Sequence, residues 1–338
     1  MKIYLVTGGS GFIGSCFVKY LFESHGTNIR VINLDNLTYA GNNASLSKVS
    51  ERENYTFIKG NICDINLVDS IFKKNKIDYV VNFAAESHVD RSIQYADEFI
   101  RTNILGTFTL LDTAKRYWEL ENNYVDGVKF IQVSTDEVYG SLGETGYFSE
   151  NTHLDPRSPY SASKASADLI VKSYHDTHNM PVNITRCSNN YGPYQYPEKL
   201  IPLLIKNCLL KKPLPVYGDG LHVRDWLYVK DHCIAIDLVL HGAKNGEIYN
   251  VGGNNEKTNI EIVKLIISYL HDNYDYEIDE SLITYVTDRK GHDRRYAINS
   301  EKIKHDLGWH PQTTFEKGIV KTIQWYIENQ EWIGISSS

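Results

Sequence analysis

The sequence has little with which to hold a polyanion, a metal cluster or a lipid bilayer. Lysine and arginine total 35 against 42 aspartates and glutamates, a formal net charge of −7. No basic excess is present to neutralise a nucleic-acid backbone or an anionic membrane surface. Any nucleotide partner is therefore expected to be small, with no nucleic-acid polymer and no membrane involved. The five cysteines (Cys16, Cys63, Cys187, Cys208, Cys233) are scattered, odd in number and without a CxxC pair. A disulfide framework and a zinc site are both disfavoured, and free thiols suit a reducing compartment. His175 and His178 stand three apart with no third ligand nearby, so no metal is expected. No apolar run approaches the ~20 residues of a membrane span. The chain opens on a strand pattern, MKIYLVTGG, and not on a charged leader, which reads as cytoplasmic. At 42% hydrophobic and 23% charged, the 338 residues have a globular composition. Their length suggests about two domains at roughly 150 residues each.

Short β-branched or aromatic runs alternate with helical patterns through the first half. Ile3–Thr7, Arg30–Leu34, Tyr55–Lys59, Tyr79–Ala84 and Lys129–Ser134 are expected strands, with helices over Phe12–Ser24, Leu67–Asn75 and Asp97–Tyr117. Near-continuous apolar strands are those covered on both faces, and repeated βαβ order makes them parallel. A long helix is expected over Ser158–His178, then a strand over Val182–Cys187, then irregular Pro-, Tyr- and Gly-rich stretches of the kind that carry binding surfaces. Further helices are expected over Thr258–Tyr274 and Phe315–Asn329. The fold class is α/β, a Rossmann-like doubly wound parallel sheet with a smaller α/β substrate-binding C-terminal domain. Residues 1–187 form the dinucleotide domain, to which about 221–250 returns, and 188–335 are mainly the second domain.

Gly8-Gly9-Ser10-Gly11-Phe12-Ile13-Gly14 follows the first strand and opens the first helix. Glycine allows the tight turn and the close approach of backbone to a pyrophosphate, and the helix N-terminus offers unpaired N–H groups. Asp35 ends the second strand, where a carboxylate accepts from ribose hydroxyls and repels a 2′-phosphate. NAD is the expected cofactor.

Tyr160 and Lys164 stand four apart on the long helix and share a face. A phenol titrates near about 10 in water, so Lys164 and a positive nicotinamide ring are expected to lower it until Tyr160 can act as a base toward an alcohol. Thr135-Asp136-Glu137 follows the strand Lys129–Ser134, at the sheet edge where α/β folds bind ligands. Alcohol oxidation needs only Tyr160 and Lys164, so an added acid and base imply a further proton transfer.

These residues match a known family. TGGSGFIG (Thr7–Gly14), LDNLTYAGN (Leu34–Asn42), AAESHVDRSI (Ala84–Ile93), STDEVYG (Ser134–Gly140), YSASKA (Tyr160–Ala165), RCSNNYGPYQYPEKLIP (Arg186–Pro202), RDWLYVKDH (Arg224–His232) and RKGHDRRYAI (Arg289–Ile298) carry the likeness. The chain resembles the nucleotide-sugar 4,6-dehydratase branch of the extended short-chain dehydrogenase/reductases. The resemblance implies dTDP-glucose as substrate and a 4-keto-6-deoxy sugar as product, serving deoxysugar biosynthesis, in a homodimer. Tyr160, Lys164 and Thr135 would oxidise C4, Glu137 would take the C5 proton, and Asp136 would protonate the leaving C6 hydroxyl. For that, Asp136 must be neutral, which a nearby carboxylate and a water-poor cleft favour.

The same likeness assigns the binding positions. The NAD site would comprise Gly8, Gly11, Phe12, Ile13, Gly14, Asp35, Asn36, Thr38, Asn61, Ile62, Ala84, Ala85, Ser87, Thr102 and Asn190, with Tyr160 and Lys164. The sugar nucleotide would meet Ser87, Thr135, Asn189, Glu198, Lys199, Leu200, Pro215, Tyr217, Arg224, Asn259, Asp288, Arg289, His292 and Tyr296. Asn61 stands where the family carries aspartate, and Lys290 where it carries proline. A UDP-sugar 4-epimerase would share the glycine loop, Tyr160 and Lys164 but has no use for Asp136 and Glu137. A UDP- or CDP-glucose dehydratase differs only in the base, which physical argument leaves open.

Overall fold

The structure is a computed structural model that describes residues 1–121, 123–288 and 291–335. Its strands in chain order are β1 (Lys2–Thr7), β2 (Ile29–Asp35), β3 (Tyr55–Lys59), β4 (Tyr79–Asn82), β5 (Lys129–Thr135), β6 (Val182–Cys187), β7 (Asn189–Tyr191), β8 (Leu214–Tyr217), β9 (Val223–Tyr228), β10 (Ile248–Val251), β11 (Glu256–Thr258) and β12 (Ile283–Val286). Seven of them form one parallel sheet in the order β10-β6-β5-β4-β1-β2-β3. The order reverses between β1 and β4, and such a switch point leaves a crevice beyond the strand ends. The expected Rossmann-like fold is therefore present.

Both faces of the sheet are covered, which is why its strands read as unbroken apolar runs. Phe17, Val18 and Leu21 of the helix Phe12–His25 pack on one face with Ile236, Val239 and Leu240 of the helix Val229–Gly242. Val68, Ile71, Leu110, Leu111 and Val171 fill the other. Polar residues inside the sheet satisfy one another: Thr7 Oγ1 donates to Asn82 Oδ1 (2.6 Å), and Asn82 Nδ2 donates to Gln132 Oε1 (2.8 Å). A separate core joins β8 to the helices Leu200–Leu209, Asn259–Asn273 and Phe315–Glu328 through Leu204, Val216, Ile266 and Ile319.

Two elements differ from the sequence reading. β4 ends at Asn82, not Ala84, because the chain leaves the sheet at the switch point. The helix expected over Asp97–Tyr117 is broken into Ala96–Phe99, a π-helical segment Ile100–Gly106 and Thr107–Trp118. Asn103, in the widened turn, accepts from the Glu86 N–H (2.8 Å) and donates to the Glu86 carbonyl (3.0 Å) and Ser163 Oγ (2.8 Å). A π-turn of this kind commonly marks a functional site.

Candidate active site

A cavity of about 360 Å³ opens at the carboxyl ends of β1, β4, β5 and β6. Its first wall is the glycine turn. Gly8 sits at φ +67°, and a Cβ there would stand 2.6 Å from the Ala84 nitrogen. A Cβ on Gly14 would overlap the Gly8 carbonyl oxygen. Only glycine lets β1, β4 and the first helix approach so closely. Gly11 caps that helix without any side-chain hydrogen bond, which leaves its N–H groups facing the cavity as an anion cradle. Asp35 is buried at the end of β2 and accepts from Ser10 N–H (2.9 Å) and Leu37 N–H (2.8 Å). Loss of solvation raises its pKa while those two donors oppose the shift. Each oxygen keeps a second lone pair for a ribose hydroxyl. The chemistry of this wall fits a dinucleotide.

Every position expected to contact NAD lines this cavity, from Gly8 through Asn36, Thr38, Asn61, Ile62, Thr102 and Asn190. Asn61 accepts from Cys63 N–H (2.8 Å), so its oxygen is engaged in the local turn. Asn190 Oδ1 accepts from His232 Nδ1 (2.9 Å), and burial drives that imidazole down to about 3, so it stays neutral.

Thr135, Asp136, Glu137, Tyr160 and Lys164 meet in the same cavity. The helix Pro159–His178 that carries two of them starts on a capping box, with Ser158 accepting from Ser161 N–H (3.1 Å), and has proline at its first position. Asp168, one turn beyond Lys164, accepts from Arg186 Nε of β6 (2.9 Å) in a fully buried ion pair. Arg186 also donates to Tyr139 Oη (3.0 Å), which donates to Asn250 Oδ1 on β10 (2.8 Å). This chain of contacts clamps the helix to the sheet.

Asp136 is 1% exposed; its Oδ1 accepts from Thr135 Oγ1 (3.3 Å) and its Oδ2 has no partner. Its pKa is held well above the usual carboxylate range, first by burial and then by Glu137 and Asp225, with Arg224 opposing. A carboxyl in that setting is biased toward its neutral, proton-donating form. The Tyr160 phenol lines the same cavity. It is held well above 10, first by loss of solvation and then by Glu137, and of the main influences only its Thr135 hydrogen bond favours ionisation. Lys164 Nζ donates to the Val133 carbonyl (2.7 Å), and burial lowers its own pKa while Asp168 opposes the shift.

The expected substrate residues divide into two groups. Ser87, Asn189, Glu198 and Lys199 line the cavity with Thr135, and Lys199 Nζ donates to the Ser87 carbonyl (3.1 Å). Leu200 starts the next helix. Pro215, Tyr217, Arg224, Asn259, Asp288, His292 and Tyr296 do not line it and sit on or beside β8, β9 and β12. There His292 Nδ1 stands 2.6 Å from Asp288 Oδ1, and its ring stacks on His222 at 3.7 Å. Arg224 lies over the Tyr296 ring (4.3 Å), and Tyr296 Oη donates to Asp293 (2.5 Å). The two groups communicate, since Arg224 acts electrostatically on Asp136 and Glu137 on Tyr296. Arg289 and Lys290 lie outside the described residues. His175, weighed as a metal ligand, donates from Nδ1 to the Met180 carbonyl (3.1 Å).

Sequence reasoning missed Asp225, Glu86 and Asn103. Asp225 is buried, accepts from Gly253 N–H (2.8 Å) and Asn255 N–H (2.7 Å), and bears on Asp136. Glu86 lines the cavity with a buried, unpartnered Oε2. Both acids lie inside motifs that were recognised, RDWLYVKDH and AAESHVDRSI, but no spacing rule singles them out.

The model of the GDP-mannose 4,6 dehydratase family matches residues 5–322. The chain is 53% identical to a dTDP-glucose 4,6-dehydratase of Xanthomonas campestris pv. campestris, covering 98% of this chain and 95% of that protein. It is 50% identical to dTDP-glucose 4,6-dehydratase 1 of Escherichia coli K12, covering 98% and 94%. Among solved structures it is similar to a Bacillus anthracis dTDP-glucose 4,6-dehydratase in complex with NAD (TM-score 0.88, 52% identity, 98% of both chains). It is also similar to DesIV, a dTDP-glucose 4,6-dehydratase from Streptomyces venezuelae with NAD and TYD bound (TM-score 0.90, 46% identity, 98% of this chain and 99% of that one).

Proposed function

Because the chain belongs to the GDP-mannose 4,6 dehydratase family, we propose that it is an NAD-dependent hydro-lyase converting dTDP-glucose to dTDP-4-keto-6-deoxyglucose and water. The observation that carries this reading is Asp136, a buried acid with an unpartnered oxygen, set beside Glu137 and Tyr160 in one cavity. Tyr160, as the phenolate that a positive nicotinamide ring beside it would favour, takes the proton of the C4 hydroxyl, with Thr135 bonded to its oxygen. NAD held by the glycine turn and Asp35 would supply the hydride acceptor for C4 and the hydride donor for C6. The C4 ketone acidifies the C5 hydrogen, which Glu137 removes. Asp136 protonates the departing C6 hydroxyl, water leaves, and the proton held on Glu137 returns to C5 as C6 is reduced. Lys164 holds its end of the catalytic helix against β5 through Val133. The cations that would hold the diphosphate are Lys199, Arg224 and Arg289.

The domain division at about residue 187, with 221–250 returning to the sheet, is part of the same reading and is supported by the separate core around β8. A homodimer is supported by apolar side chains left exposed along the broken helix and its neighbour: Tyr95 (54%), Ile100 (50%), Leu105 (50%), Phe108 (44%) and Leu169 (59%). Among the described residues no helix is long and apolar enough to cross a membrane. The five free cysteines support a reducing setting, the cytoplasm.

The test is dTDP-glucose deuterated at C4, run in parallel with the UDP and CDP esters. The label should appear at C6 of the same product molecule, with dTDP preferred. Label kept at C4 of an epimerised sugar would overturn the dehydratase reading, and a UDP or CDP preference would overturn the base.

A further inference from the structure

A second set of chemically capable side chains stands at the opposite, amino-terminal edge of the sheet, where catalysis has no use for it. His25 closes the helix Phe12–His25, and Asp237 and His241 lie one turn apart on the helix Val229–Gly242. Their donor atoms all lie within 4.8 Å of one another. His25 Nε2 is 3.1 Å from Asp237 Oδ1, and His241 Nδ1 is 3.2 Å from the same oxygen. Tetrahedral zinc with donors at about 2.0–2.2 Å sets those donors roughly 3.3–3.5 Å apart. The two contacts to Asp237 need a few tenths of an ångström of relaxation to admit the ion, and the two imidazole nitrogens lie within 4.8 Å of each other. Two imidazoles and one carboxylate are a familiar three-ligand set, with a fourth position for water.

The surroundings fit this use. The donors sit on two packed helices, so their spacing is rigid. Tyr4 Oη is 3.0 Å from His241 Nε2. Once Nδ1 is engaged, Nε2 carries the proton and donates to Tyr4, the outer hydrogen bond that orients a ligating imidazole. Tyr20 Oη donates to Asp237 Oδ2 (3.2 Å), which leaves Oδ1 for the ion. An adjoining cavity of about 320 Å³, lined by Tyr4, His25, Tyr79 and His241, gives access and room for water. The two nearby ammonium groups are directed elsewhere: Lys2 to Asp78 (2.8 Å) and Lys129 to the Ala243 carbonyl (2.6 Å).

We propose that His25, Asp237 and His241 form a zinc-type transition-metal site that ties the dinucleotide helix to the helix Val229–Gly242, apart from the catalytic centre. The competing account is a hydrogen-bonded network alone, in which the His241 Nδ1 proton is shared between the Asp237 carboxylate and its carbonyl oxygen (2.9 Å). In the metal-bound form the ion replaces that proton.

The experiment uses the full chain without an affinity tag, freed of metal by chelator and titrated with Co²⁺ and then Zn²⁺. One equivalent of Co²⁺ should bind with the intense visible absorption of a four-coordinate ion, be displaced by Zn²⁺, and raise Tm reversibly with EDTA. His241→Ala and His25→Ala should each weaken binding at least ~10-fold, and Tyr4→Phe about 10-fold through the lost outer hydrogen bond. Wild-type turnover in the histidine variants serves as the folding control. Should His241→Ala not fold, His25→Ala tests the same claim from the other helix. Absence of stoichiometric binding, a weak six-coordinate spectrum, or one-equivalent binding undiminished in His25→Ala would each overturn the site.

Discussion

Asparagine at position 136 separates the two proton transfers of the dehydration. Asp136→Asn keeps the side-chain shape and an oxygen to accept the Thr135 hydroxyl, but it removes the acidic proton. With the carboxyl 1% exposed, water cannot easily stand in as the acid. Loss of a positioned general acid costs about 10²–10⁴-fold, or roughly 3–5 kcal/mol of barrier at 1.36 kcal/mol per tenfold. C4 oxidation should survive, seen as enzyme-bound NADH on mixing, and Glu137 should still exchange the C5 hydrogen with solvent deuterium. Product release should fall by the full factor. Glu137→Gln should give the mirror image, with NADH formed but no C5 exchange. The reasoning fails if Asp136→Asn turns over within tenfold of the parent, or if C4 oxidation and dehydration fall together.

The same substitution makes a pH prediction with a definite sign. The folded pKa of Asp136 is raised, so its proton is held more tightly in the folded state than in the unfolded one. Its contribution to stability is full below the ordinary carboxylate value and is lost as pH rises through the folded value. By denaturant titration the parent should therefore lose stability between the ordinary carboxylate value and the folded one, and its kcat should fall as pH passes the folded value. Asp136→Asn should lack both slopes, and an unchanged alkaline limb would exclude Asp136 as the titrating acid.

Three further outcomes follow from geometry alone. Gly8→Ala places a methyl 2.6 Å from the Ala84 nitrogen at φ +67°. NAD affinity should drop at least ~10-fold and stability by more than about 1 kcal/mol, and parent-like NAD titration would contradict the cradle. Arg186→Met strands the buried Asp168 carboxylate, at a cost of about 3–5 kcal/mol in denaturant unfolding; adding Asp168→Leu should restore most of it, and a single-variant loss under 1 kcal/mol would show that the pair does not clamp the helix. Leu105→Lys with Phe108→Lys puts charge on the exposed apolar stripe and should yield monomers by light scattering, whereas an intact dimer would move the interface elsewhere.

How much of this was legible in the sequence depends on the range of the interaction concerned. The glycine turn, Asp35 and the Tyr160–Lys164 pair are local: each is a residue type at a fixed offset from a strand or helix end, and the fold places them where the offsets imply. β10 was not separable by pattern, because four residues at Ile248–Val251 find their place only by pairing with β6. The π-turn at Ile100–Gly106 was invisible for a related reason. Its residues carry ordinary helical periodicity, and the break answers to Glu86 and Ser163, which lie 17 and 60 positions away. Asp225 belongs to the same class, since it bears on Asp136 from another sheet, 89 positions along the chain, and no spacing records it.

The coupling between Tyr160 and Glu137 bears on the order of events. The sequence makes Tyr160 a base through the Lys164 ammonium and a positive nicotinamide ring together. In the folded chain Glu137 faces the phenol and penalises its ionisation, while Lys164 is bound to Val133. Two anions at Tyr160 and Glu137 therefore disfavour each other. That opposition is useful to a dehydratase. Once Tyr160 has taken the C4 hydroxyl proton it is neutral, and Glu137 no longer has a phenolate beside it when the acidified C5 hydrogen becomes available. A carboxylate acting earlier would find a C5 hydrogen without the neighbouring ketone that makes it acidic. On this account Glu137→Gln should lower the Tyr160 pKa as well as abolish C5 exchange. Titrating the phenol by its ultraviolet difference spectrum in parent and variant measures that coupling, and an unmoved phenol would mean that the two groups act independently.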